Sequence, residues 1–202
     1  MAHGDEIPMS AGLASDLGRY VDLLARWNKT VNLTALTLDP PDDMALTRLV
    51  MEPLRASSLV QPTDQTHLDL GSGGGSPAIP LHLACPWLES ILIESRGKKC
   101  AFLREAARTL GLTNLRIGHV RFEELLASGI AERPVDLITM RAVRADEVVW
   151  GLITALLSAE GLVIWFGGES AQVPSAFAAV PIDHGLALTH AGSPRAAAIP
   201  QA

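Results

Sequence analysis

Between residues 67 and 166 five short, largely apolar runs alternate with segments of helical length, and that rhythm restricts the fold more than any other feature of the chain. The runs occupy 67–70, 90–93, 115–117, 135–139 and 162–166. Continuous rather than alternating apolar character marks strands buried on both faces, as in a parallel sheet covered by helices on either side. The helical segments between them cover 79–85, 98–110, 122–126 and 146–157. Gly111 and Gly161 stand where helix C-termini favour glycine. The sequence therefore predicts an α/β fold with a mostly parallel sheet.

Upstream the period changes. Leu13, Leu17, Tyr20 with Val21, Leu24 and Trp27 recur every three or four residues, the stripe of an amphipathic helix that must pack on something. Trp27 closes that stripe and reads as core. A second helix is expected after Asp39-Pro40-Pro41, capped by Asp39 and carrying Met44, Leu46, Leu49, Val50 and Leu54, with Pro53 ending or kinking it. A polar linker, 61–66, separates these helices from the first strand. Past Gly168 a helix over 170–179 and a terminal hairpin of 186–190 with 196–199 are expected. The organisation is a single domain, 1–202, made of a helical extension (10–60) and an α/β core (66–202).

Of the 202 residues 48% are hydrophobic, enough for a sizeable core. Neither a secretory leader nor a run of about 20 apolar residues is present, so a cytoplasmic protein without a membrane span is expected. Cys85 and Cys100 make no disulfide framework, and His67, His82, His119, His184 and His190 have no ligand spacing, so no metal is assigned. Net charge is −6, which argues against coating nucleic acid by overall charge. Yet residues 96–144 carry ten Lys and Arg against five Asp and Glu. That excess reads equally as a local polyanion contact and as solvated helix faces.

The first strand runs into Asp69-Leu70-Gly71-Ser72-Gly73-Gly74-Gly75, at the carboxyl end of a parallel strand, where open α/β sheets bind ligands. Gly71, Gly73 and Gly75 allow a tight turn and bring bare backbone against a ligand. The dinucleotide fingerprint would need glycine at 76, which is Ser76. Asp69 suits an ammonium, and Glu94, at the end of the second strand, suits a pair of ribose hydroxyls. These features favour an S-adenosylmethionine-dependent methyltransferase, with a nucleotide-dependent oxidoreductase and a non-catalytic binder as the other readings.

Several motifs together resemble one family. Trp27-Asn28-Lys29 with Asn32-Leu33-Thr34, the loop from Asp69 through Pro77-Ala78-Ile79-Pro80-Leu81, Glu94-Ser95-Arg96-Gly97-Lys98-Lys99 with Phe102-Leu103-Arg104, Arg121-Phe122-Glu123-Glu124, and Asp136 to Arg141-Ala142 are similar to blocks of the bacterial 16S ribosomal RNA guanine-N7 methyltransferases, the glucose-inhibited division protein B family. The resemblance implies a class I, Rossmann-like methyltransferase with a seven-stranded, mostly parallel sheet, helices on both faces and an N-terminal helical extension. It implies S-adenosylmethionine as cofactor, and ribosomal RNA or the small ribosomal subunit as partner of a monomeric enzyme. It also suggests that Gly71, Ser76, Phe122, Glu123 and Arg141 hold the cofactor. The chain departs from the family pattern at Leu49 (histidine), Met140 (serine), Ala78 (glycine) and Gly167 or Gly168 (lysine). These departures leave a methyltransferase of another substrate, or a silent relative, as alternatives.

Guanine N7 already offers a lone pair, so the chemistry needs alignment and no general base. Arg141, ending the fourth strand, is the candidate catalytic residue, orienting substrate or cofactor. Phe122 can lie against adenine, with Glu123 accepting from its amine. Lys98 and Lys99 open a helix, a poor place for cations unless an anion sits nearby. With Lys29 and Arg144 they are the candidate substrate contacts.

Overall fold

The computed structural model describes residues 9–131, 134–167, 172–183 and 185–200. Expectations resting on Glu132, Arg133, Gly168, Ser170, Ala171 and His184 lie outside the described residues. Seven strands form one sheet: β1 (Thr66–Leu70), β2 (Glu89–Glu94), β3 (Leu115–His119), β4 (Val135–Arg141), β5 (Leu157–Phe166), β6 (Phe177–Ile182) and β7 (Gly185–His190). Their order is β3-β2-β1-β4-β5-β7-β6. The first five are parallel and β7 runs antiparallel between β5 and β6. This is the predicted mostly parallel α/β sheet. The order reverses between β1 and β4, the place where such sheets bind ligands.

The helices are α1 (Ala11–Asn28), α2 (Asp43–Leu46), α3 (Glu52–Ala56), α4 (Ala78–Ala84), α5 (Gly97–Leu110), α6 (Phe122–Ser128) and α7 (Glu147–Leu156). Strand residues alternate between faces. Leu92 joins Leu17, Tyr20 and Leu24 of α1, Leu49 and Leu54, Ile79 of α4 and Phe102 and Leu103 of α5 in one core cluster. Leu68, Leu70, Ile93, Ile138 and Met140 point the other way, into a cluster with Leu125 of α6 and Val149 and Ile153 of α7. Helices thus cover both faces, and the stripe of α1 is buried on one of them.

Several local expectations are corrected. The second helix is capped by Asp42, whose carboxylate accepts from Ala45 N at 2.7 Å; Asp39 instead pairs with Lys29. Pro53 distorts the helix rather than ending it: a wide turn over Thr47–Met51 joins α2 to α3, and the chain stays helical to Ala56. A π turn shifts the hydrogen-bond register so that a residue without N–H can follow. Gly161 lies within β5 rather than at a helix end, beside a shift in the β4–β5 register between Val135 and Leu137. Finally, the terminal hairpin is β6 with β7, whereas Pro194–Ala198 is a short 3-10 helix. The segment expected as helix over 170–179 thus contributes Phe177–Ala179 to a strand. Pro181 fits there because β6 is an edge strand, where a missing N–H costs no interior hydrogen bond.

Candidate functional site

The glycine loop leaves β1 and turns back under α4. Gly71 N and Ser72 N both donate to Ile93 O at 3.0 Å, tying the loop to the end of β2. Gly71 has φ +75°, and a Cβ on it would lie 2.8 Å from Val143 Cγ2 and 3.7 Å from Phe122 Cζ. Gly75, at φ +87°, would place its Cβ 2.5 Å from Ile79 Cδ1. Both positions therefore need glycine, for backbone sign and for space.

Beside Gly71 a cleft of about 200 Å³ is lined by Gly71, Ile93, Glu94, Ser95, Val120, Arg121, Phe122 and Glu123. Four expected cofactor residues thus meet at one cavity: Gly71, Glu94, Phe122 and Glu123. Glu94 is buried, its Oε2 accepting from Gly73 N at 3.0 Å and its Oε1 from Arg96 N at 2.8 Å. Those bonds fix the carboxylate at the loop.

On the other side of the loop, strand register brings Asp69, Thr139 and Arg141 onto one face of the sheet. Asp69 Oδ1 accepts from Thr139 Oγ1 at 2.5 Å, while Oδ2 is buried with no partner. Burial pushes the Asp69 carboxyl up to about 6, although hydrogen bonding and the nearby Arg141 pull the other way. Arg141 Nη1 donates to Glu52 Oε2 at 2.6 Å, and its guanidinium carbon lies 4.4 Å from the Phe166 ring centroid. Its Nε and Nη2 are buried without partners among the described residues. Just beyond, Ala142 adopts φ +53°, a strained conformation of the kind that gathers at functional sites.

Other expected residues are placed differently. The Ser76 hydroxyl donates to Leu49 O at 3.0 Å, a carbonyl that Pro53, lacking an N–H, cannot reach. It pins the helical extension to the loop. Lys29 is exposed and 2.8 Å from Asp39. Lys98 and Arg144 are exposed, and Lys99, at the start of α5, has its Nζ 3.7 Å from where a Gly73 Cβ would stand. Leu49 and Met140 are buried in opposite core clusters, and nothing lies within 4 Å of a Cβ built on Gly167.

Sequence reasoning missed the brace behind the loop. Tyr20 OH donates to Gly74 O at 2.8 Å. Asn28 Oδ1 accepts from Leu33 N and Thr34 N, folding residues 29–34 so that Leu33 O lies 3.4 Å from the site of a Gly74 Cβ. The motif around Trp27 to Thr34 is therefore a support for the loop, and Trp27 packs edge-on to Phe102 at 5.8 Å. The signal was a lone tyrosine in the stripe of α1 and an asparagine at that helix's end.

With this geometry in hand, known proteins are informative. The family model described as rRNA small subunit methyltransferase G matches residues 13–175. The ribosomal RNA small subunit methyltransferase G of Stenotrophomonas maltophilia (strain K279a) is 45% identical over 134 residues, covering 66% of this chain and 59% of that protein. Its counterpart in Xylella fastidiosa (strain M23) is 40% identical over 152 residues, 74% of this chain and 66% of the other. The chain thus matches less than two thirds of the length of either relative. In fold it is similar to a precorrin-6y C5,15-methyltransferase from Geobacter metallireducens (TM-score 0.51, 13% identity, 67% of this chain and 84% of that one). It is also similar to an rRNA methylase from Streptococcus thermophilus (TM-score 0.51, 11% identity, 69% and 94%). At such identities the likeness speaks for the fold, which is the class I methyltransferase fold.

Proposed function

The chain belongs to the rRNA small subunit methyltransferase G family, and we propose that it is an S-adenosylmethionine-dependent methyltransferase acting on N7 of a guanine in small-subunit ribosomal RNA. The observation that carries this reading is the pair of unfinished charges beside the glycine cradle. Asp69 Oδ2 and Arg141 Nε and Nη2 are buried polar atoms without partners among the described residues. Buried polar groups are normally satisfied, so such a cluster calls for a complement. An amino-acid zwitterion supplies it: an ammonium for Asp69, a carboxylate for Arg141.

The remaining residues fit the rest of that cofactor. Glu94 is fixed at the loop to accept from ribose hydroxyls, Phe122 and Glu123 line the cleft for adenine, and Gly71 and Gly73 leave the backbone bare. Gly75 shapes the loop, and Ser76 holds the helical extension against it. S-adenosylmethionine supplies an electrophilic methyl group when bound. Because N7 carries its own lone pair, the chain's task is position: Arg141, held by Glu52 and Phe166, fixes one end of the site. Lys29, Lys98, Lys99 and Arg144 are the candidate phosphate contacts, Lys99 with its Nζ beside Gly73. No helix among the described residues is long and apolar enough to cross a membrane. A monomer working in the cytoplasm on the small subunit completes the proposal.

Leu49 and Gly167 favour one second reading, a methyltransferase with another substrate. Leu49 is buried in the core where the family resemblance puts histidine, and Gly167 brings no side chain where it puts lysine. The test is to map N7-methylguanine in 16S ribosomal RNA from cells lacking the protein, alongside calorimetric titration with S-adenosylmethionine. Loss of one modified guanine together with binding supports the proposal. Binding with an unchanged map supports the second reading, and absence of binding refutes both.

A further inference from the structure

Behind Asp69 a continuous string of hydrogen bonds crosses the buried face of the sheet. Asp69 Oδ1 meets Thr139 Oγ1 at 2.5 Å, and Thr139 Oγ1 meets His67 Nε2 at 2.8 Å. His67 Nδ1 lies 3.0 Å from Ser90 Oγ, which lies 2.8 Å from His82 Nδ1. His82 Nε2 ends the string 3.1 Å from Asn114 Oδ1. Asp69, Thr139, His67, Ser90 and His82 are all buried. Neither ring serves the site directly, and two buried imidazoles in one string ask for an explanation.

Counting protons supplies it. Asn114 Nδ2 donates to Pro86 O at 2.8 Å and Leu88 O at 2.9 Å, so Oδ1 is the acceptor and His82 Nε2 must donate. From Asp69 to Asn114 there are five hydrogen bonds. The neutral groups between them bring four protons: two hydroxyls and one N–H from each ring. The string is complete only with one more proton, shared by the Asp69 carboxyl and the two imidazoles. Burial keeps the rings neutral, holding His67 down at about 3 and lowering His82, while raising Asp69 to about 6. Below about pH 6 the proton therefore rests on Asp69 and every bond points from Asp69 toward Asn114; once it leaves, Thr139 Oγ1 donates to Asp69 Oδ1 and the string is one proton short.

We propose that Thr139, His67, Ser90 and His82 form a buried relay that sets the charge of Asp69, so that in mildly acid solution a cationic ligand seated on Asp69 displaces one proton to solvent. His67 and Ser90 are positioning residues in this scheme, acting on the cofactor site through hydrogen-bond polarity. The inference rests on the cofactor reading above, in which Asp69 receives the ammonium. Other groups facing Asp69 are accounted for. Arg141 on β4 favours its ionised form and Glu94 on β2 opposes it. Ser72 donates to the Asp69 carbonyl at 3.2 Å, and its hydroxyl beside the carboxyl favours the ionised form. Tyr20 on α1 is kept protonated by burial. Glu52 on α3 neutralises Arg141, and His82 on α4 disfavours charge on His67.

The decisive variant is Ser90→Ala, because Ser90 does not touch Asp69. It cuts the string into pieces whose own protons suffice: Thr139 then donates to Asp69 and His67 Nε2–H to Thr139. His67→Leu has the same effect from the other side, and Ser90→Thr restores the hydroxyl. In the ligand-free protein, carbon-detected NMR should find Asp69 titrating near pH 6 in the wild type and Ser90→Thr. It should titrate about one unit lower in Ser90→Ala and His67→Leu. Calorimetry with S-adenosylmethionine in buffers of different ionisation enthalpy should find about one proton released at pH 5. Wild-type affinity should fall about tenfold per pH unit below 6, and Ser90→Ala should bind about fivefold tighter than wild type at pH 5. An Asp69 midpoint unmoved by Ser90→Ala overturns the relay whether or not the cofactor binds. Binding with pH-independent affinity and no proton release overturns it too, whereas a moved midpoint without binding keeps the relay and removes the cofactor reading.

Discussion

Two arginines, Arg141 and Arg195, lie within the fold with a carboxylate partner each, and their surroundings differ. Arg195, on the 3-10 helix after β7, is closed on every side. It grips Asp64 through two bonds of 2.8 and 2.6 Å and also donates to Glu160 O and Leu59 O. Both side chains are 5% exposed, and the pair fastens the end of the chain to the linker before β1. Arg141 has Glu52 on one nitrogen, an aromatic face beneath it, and two buried nitrogens with no acceptor among the described residues. The first arginine completes a structure. The second is the one we propose receives a ligand, and its two unpartnered nitrogens distinguish it from the clasp more than burial or charge does.

Breaking the closed pair should have the largest effect. Arg195→Ala leaves Asp64 buried and uncompensated, and should lower stability by about 3–5 kcal/mol in urea denaturation. The folded fraction should keep its affinity for S-adenosylmethionine. Arg141→Lys keeps a cation for Glu52 but withdraws the guanidinium fork. It should cost at least tenfold in cofactor affinity by calorimetry, about 1.4 kcal/mol, while thermal unfolding stays within a few degrees of wild type. Equal stability losses in the two variants would erase the distinction.

Smaller effects sharpen it. Ser76→Ala releases the carbonyl of Leu49 and should destabilise by about 1 kcal/mol, without the direct loss of cofactor affinity expected of a ligand contact. The smallest effect concerns pH. His67 stays neutral in the fold down to about 3, so its contribution is complete above 6.5 and is lost as pH falls. Asp69 holds its proton up to about 6, so its contribution is present below 3.8 and is lost as pH rises through that window. Between pH 4 and 6 the two slopes oppose each other. Replacing both, His67→Leu with Asp69→Asn, should leave the slope of stability against pH within about 0.5 kcal/mol per unit of wild type, read from urea denaturation at pH 4, 5 and 6.

What the sequence disclosed followed how local each feature is. The strands from β1 to β5, the loop and Glu94 were legible because strand period, glycine spacing and a twenty-residue interval are properties of short stretches. Phe122 and Glu123 could be set beside Gly71 through a motif. Tyr20 on Gly74 and Thr139 on Asp69 could not, since each contact depends on helix docking or strand register across 54 and 70 residues. The tail misled because Ala178, Ala179 and Ala196–Ala198 suit several local structures, and pairing with β7 and the Arg195–Asp64 clasp decide among them. Ser76 was read toward the cofactor, yet a proline 23 residues earlier leaves the carbonyl it serves.

The central claim is that Asp69 and Arg141 read the amino-acid end of the cofactor. Titration calorimetry comparing S-adenosylmethionine with 5′-methylthioadenosine, which lacks that end, tests it most directly. The truncated ligand should bind at least about a hundredfold more weakly, some 2.7 kcal/mol, and Arg141→Lys should narrow the gap. Equal affinity of the two ligands for the wild-type protein would contradict it.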